Sequence, residues 1–169
     1  LEELSPGNIV ICRGDHFFNL HSQANYLPFN LTLSPKMKIT SSNATTKVKT
    51  AADGTPCEGH MWISKEKGNE AWIQFDFKDE YLINRYVVRH AGNAGMMKQL
   101  NTRSFTMEVS RDGKKWTRVD SQMNNTASVT DVDITPVQGR YVRLQIQDAG
   151  EDGIARIGDV EIYGSILGN

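Results

Sequence analysis

The sequence predicts an all-β protein, either a sandwich or a barrel, from three features of the chain. Between Trp72 and Gly164, apolar residues recur at every second position, which gives each run one buried face and one solvated face. Short polar turns separate the runs, and helical periodicity never lasts beyond about two turns, too short for an independent helix. The alternating runs are W-I-Q-F-D-F (72–77), Y-V-V-R-H (86–90), F-T-M-E-V-S (105–110), Y-V-R-L-Q-I (141–146) and V-E-I-Y (160–163). Functional residues are then expected on the loops at one end of the fold.

The first element in chain order is a lead-in segment, residues 1–35, in which prolines and glycines interrupt short apolar pieces. It is expected to pack on the sandwich or to donate a strand to it. M-K-I-T-S-S (37–42) is the next strand candidate, and a long polar loop, 43–67, follows it. The strongly alternating runs begin only after this loop.

Three breaks are predicted among the alternating runs. K-D-E (78–80) separates the first two runs, and P-V-Q-G (136–139) interrupts the chain ahead of Tyr141. R-D-G-K-K (111–115) carries Asp-Gly at its tip and predicts a hairpin turn, because these residues tolerate the positive φ that tight turns need. Such short turns are typical of an antiparallel sheet.

Length, charge and missing motifs exclude several classes of function. A chain of 169 residues suits one domain with a tail. Its 19 basic and 20 acidic residues are interspersed and sum to −1, so nothing favours nucleic acid, whose binding needs a basic surface. No apolar run approaches the roughly 20 residues that cross a bilayer, and a membrane is not an expected partner. A nucleophile elbow, a Gly-rich phosphate loop and an H-E-x-x-H motif are all missing, so the chain is not expected to be an enzyme.

Two short features near the N-terminus leave alternatives open. Cys12 and Cys57 either form one disulfide or remain two free thiols, and their spacing does not decide between these states. Arg13-Gly14-Asp15 spells a tripeptide that integrins recognise, but a match of three residues arises easily by chance. Integrin binding is therefore only a minor alternative.

The A-A-D-G sequence (51–54) has two interpretations. Asp-Gly in a loop usually indicates a turn and nothing more. Alternatively, Asp53 and a carboxylate from a distant segment, such as Glu161, could supply oxygen ligands to a hard cation such as Ca2+, which takes six to eight of them. Sequence alone does not bring these two residues together.

The stretch H-A-G-N-A-G-M-M-K-Q-L-N-T-R (90–103) is the most unusual in the chain. It offers amides, an imidazole and a guanidinium between two predicted strands. It is either a flexible hairpin loop or a polar ligand site, since these groups hydrogen-bond well to sugar hydroxyls. Met96 and Met97 are either hydrophobic spikes for a membrane or residues under the loop.

Several of these segments together resemble the coagulation factor 5/8 type C, or discoidin-like, family and its bacterial branch, carbohydrate-binding module family 32. They occur in the family's order across residues 36–164 and leave 165–169 as a tail. Each segment alone is a weak signal, but the whole set in this order is specific for the family. The matching segments are A-A-D-G (51–54), M-W-I-S (61–64), W-I-Q-F-D-F (72–77), F-T-M-E-V-S-R-D-G-K-K-W (105–116), R-Y-V-R-L (140–144) and A-R-I-G-D-V-E-I-Y-G (155–164).

The resemblance implies an eight-stranded antiparallel jelly-roll β-sandwich, similar to galactose-binding domains, with a structural Ca2+ near the chain ends. Carried over by position, side-chain oxygens would come from Asp53 and Glu161. The resemblance assigns further ligands to the backbone carbonyls of Thr50, Thr55 and Val160.

The resemblance also implies a sugar site on the loops at one end of the sandwich. Galactose-binding members commonly use a histidine, an arginine and an asparagine, with an aromatic ring against the apolar face of the sugar. In this chain the histidine would be His60 or His90, the arginine Arg89 or Arg103, and the asparagine Asn93 or Asn101, and Trp62 lies in the same predicted region.

The function implied by the resemblance is a non-catalytic carbohydrate-binding module. Such a module targets a secreted, bacterial glycan-active enzyme to terminal sugars of host-type glycans, with galactose, GalNAc or GlcNAc as the expected ligands. Its catalytic partner would be a covalently linked domain of the parent protein, and its location secreted or on the cell surface. The alternative is a discoidin-type domain for cell adhesion or phospholipid binding.

Overall fold

The structure is a computed structural model that describes the backbone of Val10–Arg13 and His16–Asn19 together with residues 27–42, 44–65 and 68–168. Gly14 and Asp15 of the possible integrin motif, and the side chains of Arg13 and Cys12, lie outside the described part of the chain. Cys57 is exposed and is a free thiol.

Strands make up nearly all of the regular structure in the described residues. Their bounds are β1 Val10–Arg13, β2 His16–Asn19, β3 Phe29–Asn30, β4 Lys38–Ser41, β5 Trp62–Ile63, β6 Trp72–His90, β7 Ser104–Ser110, β8 Thr117–Gln122, β9 Val129–Asp148 and β10 Arg156–Ile166. Short 3-10 helices lie in the connections, at Leu31–Leu33, Val48–Ala52, Ala91–Ala94 and Lys98–Leu100. No helix among the described residues is long and apolar enough to span a membrane.

The strands form an eight-stranded antiparallel sheet that closes over on itself as a jelly-roll β-sandwich, which confirms the predicted fold class. The main path runs β3-β10-β6-β9-β7-β8, with β4 paired to β6 and β5 paired to β10. β1 and β2 form a separate two-stranded hairpin. The short strand β3 belongs to the lead-in segment 1–35 and pairs with β10.

β9 folds back on itself, so that both of its ends reach the same end of the sandwich. Asp148 at its C-terminus pairs with Ser104, while Asn101 bonds to Ser128, next to its N-terminus. Twenty extended residues would separate these ends by about 65 Å, so the strand must bend between them. The bend contains Pro136, where the pairing with β6 shifts register and a missing N–H is tolerated.

β6 makes the same bend, which changes the interpretation of two predicted breaks. The sequence predicts separate strands on either side of 78–80 and of 136–139, whereas the structure has continuous strands that bend there. At the first bend Lys78 has a positive φ of 71°, and its N–H donates to the side chain of Asp76. The alternating pattern indicates which side chains face inward, but not whether two adjacent runs belong to one bent strand.

Other predicted elements agree with the structure or extend it. β4 confirms the strand candidate at 37–42, and the turn at 111–115 joins β7 to β8, with Gly113 at φ 72°. The loop at 43–67 contains a 3-10 helix and β5, because its apolar residues pack against the sandwich. The inward side chains fill one core, whose largest members include Trp62, Tyr86, Phe75, Phe77 and Phe105.

Candidate functional site

Three loops converge at the end of the sandwich where both ends of β9 lie. They are residues 91–103, 123–128 and 149–155, and we call this region the loop end. The Asn125 N–H donates to Arg103 O at 2.7 Å, and the Arg103 N–H donates to Asp148 O at 2.9 Å. The loops are therefore joined through their backbones, and their relative positions are defined before any ligand binds.

The buried amide of Asn101 is the main link between these loops. Only 2% of the residue is exposed. Its Oδ1 accepts from the Gly92 N–H at 2.7 Å, and its Nδ2 donates to Ser128 Oγ at 3.3 Å and to Thr126 O at 3.5 Å. Gly150 packs over Asn101 at a φ of 112°, where an added Cβ would lie 2.8 Å from Asn101 O. Asn101 therefore supports the site from below.

A shallow cavity of about 570 Å3 opens between the first two loops. It is lined by the segment 97–99 together with Asn101, Arg103, Asn125 and Thr126. Its surface combines amides, a hydroxyl, two cations and the exposed thioether of Met97. The cavity therefore combines hydrogen-bond donors and acceptors with apolar side-chain surface.

Arg103 is the most prominent side chain in this cavity. It is exposed, and its guanidinium has no ion-pair partner within the described ranges. Six other arginines in the same ranges form ion pairs, namely Arg85, Arg89, Arg111, Arg140, Arg143 and Arg156. The guanidinium of Arg103 is thus available for a ligand.

Two residues predicted to contact sugar, His90 and Trp62, instead lie in the interior with no exposed surface. His90 Nε2 lies 2.9 Å from Thr130 Oγ1, and burial lowers the pKa of the imidazole to about 4. Trp62 packs in the core and pairs with Ile157 of β10. Neither ring can touch a ligand outside the protein, so these two assignments are corrected.

The other predicted sugar residues lie in two different places. Asn101 and Arg103 meet at the cavity, and the exposed Asn93 lies on the same loop but not among the residues that line it. His60 and Arg89 lie elsewhere, beside carboxylates. Sequence reasoning missed Asn125 and Thr126, although the polar run N-N-T (124–126) between two strands is a signal of the same kind.

A second cluster of polar residues joins the Asp53 turn to β10. We call Asp53, Asp159 and Glu161 the carboxylate cluster. Asp159 is 3% exposed, and its Oδ1 accepts from the Gly54 N–H at 3.1 Å. Burial, with smaller contributions from Glu161 and Asp53, raises the pKa of the Asp159 carboxyl to about 6. The buried negative charge of Asp159 is only partly stabilised by the Gly54 N–H and the nearby Arg89 guanidinium.

Glu161, the predicted metal ligand, is already occupied by other groups. The Arg89 guanidinium donates to its Oε1 at 2.9 Å, and the Tyr163 hydroxyl donates to its Oε2 at 2.7 Å. Asp159 lies two residues earlier on the same face of β10 and is the carboxylate that bonds to the Asp53–Gly54 turn. The structure therefore favours Asp159 over Glu161 as the partner of Asp53.

The oxygen-rich donor set of the cluster fits a hard cation in its chemistry. Asp53 and Asp159 offer carboxylates, and Thr50 and Thr55 belong to the same turn region. His60 Nδ1 lies 3.1 Å from Asp53 Oδ2 and would have to move away from a bound cation. Among the described residues, no group of three or more His, Cys, Asp or Glu side chains is arranged to hold a metal, so backbone oxygens would have to complete the shell.

Comparison with known proteins identifies the family. The family model of the F5/8 type C domain matches residues 36–160. The chain belongs to the F5/8 type C domain family. No curated protein matches the chain significantly.

Solved structures of carbohydrate-binding modules share this F5/8 type C fold. The family 32 module of Streptococcus pneumoniae EndoD has 21% identity and a TM-score of 0.69, over 81% of this chain and 100% of that one. A Clostridium perfringens module in complex with GalNAc-β-1,3-galactose has 18% identity and a TM-score of 0.66, over 75% and 94%. The chitosan-binding module 1 of a Paenibacillus sp. IK-5 chitosanase/glucanase has 22% identity and a TM-score of 0.68, over 80% and 99%.

Proposed function

We propose that this F5/8 type C domain is a non-catalytic carbohydrate-binding module whose sugar site is the cavity at the loop end. The observation that carries the proposal is the guanidinium of Arg103, which forms no ion pair with any described residue and shares a shallow cavity with Asn125 and Thr126. Similar folds in solved carbohydrate-binding modules support it.

The chemistry of the cavity suits a sugar. A guanidinium donates to hydroxyl oxygens, and an amide both donates to hydroxyls and accepts from them. The buried Asn101 holds the loops in place, so that little ordering is needed on binding. The cavity is open and shallow. We expect micromolar to millimolar affinity for one site, on the order of 4–8 kcal/mol.

The wider role we propose is the targeting of a secreted bacterial glycan-active enzyme to terminal sugars of host-type glycans. The module would be joined covalently to the catalytic domain and would bind galactose, GalNAc or GlcNAc residues. Support comes from the solved modules of similar fold, one of them crystallised with a GalNAc-galactose disaccharide.

A glycan array with two matched variants tests the site. We expect the native chain to bind a subset of glycans, and Arg103→Ala or Asn125→Ala to weaken that binding at least about tenfold. Arg103→Ala removes the donors of the guanidinium from the cavity. Asn125→Ala removes an amide that donates to Thr102 O at 3.0 Å and to Ala127 O at 3.1 Å and so shapes the cavity wall. Arg118→Ala is the control, because Arg118 is exposed on β8 and does not line the cavity. Binding that survives both cavity variants would reject this site, and a blank array would reject the function.

We also propose a structural Ca2+ at the carboxylate cluster, held by Asp53 and Asp159 with backbone carbonyls of Thr50 and Thr55. When bound, the ion would neutralise the buried Asp159 carboxylate and join the Asp53 turn to β10. The ion would stabilise the fold, because it would hold together two segments that lie more than a hundred residues apart in sequence.

Phospholipid binding is the second candidate function, favoured by the exposure of Met97. This side chain is 66% exposed at the cavity rim, and Met123 on the neighbouring loop is 65% exposed. Co-sedimentation with phosphatidylserine vesicles tests it, with Met97→Ser and Met123→Ser as the variants. If the native chain sediments with the vesicles and both variants do not, the membrane function is favoured over the sugar function.

A further inference from the structure

The charged residues in the described lining of the loop-end cavity are all positive. Lys98 and Arg103 line it, and no Asp or Glu belongs to its described lining. Two acidic residues contact the cavity segment through their backbones, since the Arg103 N–H donates to O of Asp148, the last residue of β9, and the Glu151 N–H donates to Gln99 O at 3.4 Å. The Asp148 side chain accepts from the Gly150 N–H at 3.0 Å, and neither carboxylate forms an ion pair with Arg103 within the described ranges.

In the described ranges two arginines form no ion pair, Arg103 and the exposed Arg118 of β8, and of these two Arg103 lines the loop-end cavity. Each of the six paired arginines has an acidic partner on its own or a neighbouring segment, for example Arg85 with Asp131 and Arg140 with Asp76, both through two hydrogen bonds. The chain as a whole carries a charge of only −1. A guanidinium is a planar fork of donors that matches a carboxylate, and such charge-assisted pairs are stronger than bonds to neutral oxygens.

The cavity also lacks an aromatic ring of the kind on which a neutral pyranose commonly stacks. The three loops of the loop end, 91–103, 123–128 and 149–155, contain no Trp, Tyr or Phe that could stack on the apolar face of a sugar. The three tryptophans are all elsewhere. Trp62 is in the core, and Trp72 and Trp116 lie on either side of Arg143, whose Cζ is 6.0 Å and 3.8 Å from their ring centroids.

We propose that the sugar recognised at this cavity carries a carboxylate, as a uronic acid does, and that Arg103 pairs with it while Lys98 adds a second positive charge. This inference rests on the proposed carbohydrate-binding function and departs from it in one respect, since the sugar in the cavity would be acidic and not a neutral galactose, GalNAc or GlcNAc residue. Charge recognition by Arg103 takes the place of aromatic stacking as the main source of affinity.

The test compares trigalacturonic acid with its fully methyl-esterified form, which keeps the sugar skeleton and removes the charge. Isothermal titration at about 20 mM salt should show that the native chain binds the acid about tenfold or more tightly than the ester. The preference should shrink at about 500 mM salt, because screening weakens an exposed ion pair.

Two variants assign the preference to Arg103. Arg103→Gln keeps a polar side chain and should remove most of the difference between acid and ester, leaving the smaller part due to Lys98, whereas Arg118→Gln should preserve it. Both variants should remain folded, because both positions are exposed, and thermal melting checks this.

The remaining outcomes separate this inference from the function on which it depends. Equal affinity for acid and ester would overturn the carboxylate inference and leave sugar binding intact. The same holds if neither trisaccharide binds while neutral glycans on an array do. Failure to bind either trisaccharide or any array glycan would overturn both proposals.

Discussion

At the scale of residues, Asn101 and Arg103 lie two positions apart and have opposite roles. The amide of Asn101 is buried and bonds to three groups on neighbouring segments, whereas the guanidinium of Arg103 is exposed and unpaired within the described part of the chain. Burial decides the difference, because a buried amide must find partners inside the protein. The first residue shapes the site, and the second is free to bind.

Replacement of Asn101 should therefore reduce stability and binding together. Asn101→Ala removes the acceptor for the Gly92 N–H and leaves that donor and Ser128 short of a partner. We expect the free energy of unfolding to fall by about 2–3 kcal/mol. Urea denaturation measures it, and Asn93→Ala, an exposed asparagine on the same loop, should change it by less than about 0.5 kcal/mol. Equal effects of the two variants would contradict this role.

His90 makes a pH-dependent contribution to stability. Its pKa is lowered by burial to about 4 in the folded state and is near 6.5 when unfolded. Between these values only the unfolded state binds the proton, so the stabilising contribution is complete above about pH 6.5 and declines as pH falls toward 4. The loss at pH 4 amounts to about 3 kcal/mol.

Urea titrations at pH 7 and pH 4.5 of the native chain and of His90→Gln measure this effect. The variant should lose less stability between the two pH values than the native chain, since its side chain does not titrate. Both chains retain Asp159, whose raised pKa acts in the opposite direction over this range, so its contribution cancels in the comparison. Identical pH dependence in the two chains would mean that His90 takes up its proton over the same pH range in the folded and the unfolded state.

At the scale of elements, the bends of β6 and β9 create the loop end. Each strand crosses from one layer to the other, which returns its far end to the side where it began. At the bend of β9, Gly139 packs so closely on β7 that an added Cβ would overlap Val109 Cγ1. A side chain at this position would push the bend away from β7.

Gly139→Ala should therefore destabilise the fold by about 1–3 kcal/mol, as overpacking does. The double variant Gly139→Ala with Val109→Ala provides the control, because the second change removes the methyl group in the way. Thermal unfolding of the single and double variants should show an interaction energy of at least about 1 kcal/mol in the favourable direction. Additive effects would mean that the contact is unimportant.

The elements also show what sequence patterns predict well. The strands at 105–110 and 141–146 and the turn at 111–115 depend on local alternation and local turn chemistry, and all three agree with the structure. The prediction that Trp62 contacts a ligand is wrong, because a tryptophan in a short run beside a loop has the same pattern whether its ring faces a ligand or the core. Only the pairing of β5 with β10 places it inside.

At the scale of the whole molecule, the carboxylate cluster connects the Asp53 turn to the strand that ends the sandwich. A cation that binds only the folded chain stabilises it by mass action, by about 2.7 kcal/mol at a hundredfold excess over its dissociation constant. For a chain of this size that corresponds to a rise in melting temperature of about 5–10 °C.

We expect Ca2+ to produce this rise and EDTA to reverse it. Asp159→Asn should remove the response to Ca2+, whereas Glu161→Gln should retain most of it, since Glu161 is bound to Arg89 and Tyr163. Differential scanning calorimetry with and without Ca2+ measures both. A native melting temperature that ignores Ca2+ would reject the cation site, and a response lost only in Glu161→Gln would restore the assignment based on sequence.

By itself the sequence determined the all-β class, the inward faces of the main strands and the segments that match the F5/8 type C family, because each of these depends on residues close together in the chain. The tertiary structure alone decided that Asp159 meets the Asp53 turn, that His90 and Trp62 are buried, and that Arg103 shares a cavity with Asn125. These are contacts between segments that lie far apart along the chain or on different loops, and a period of two places Asp159 and Glu161 on the same face without indicating which one meets a partner. The path of the folded chain, and not any local pattern, selects among such equivalent positions.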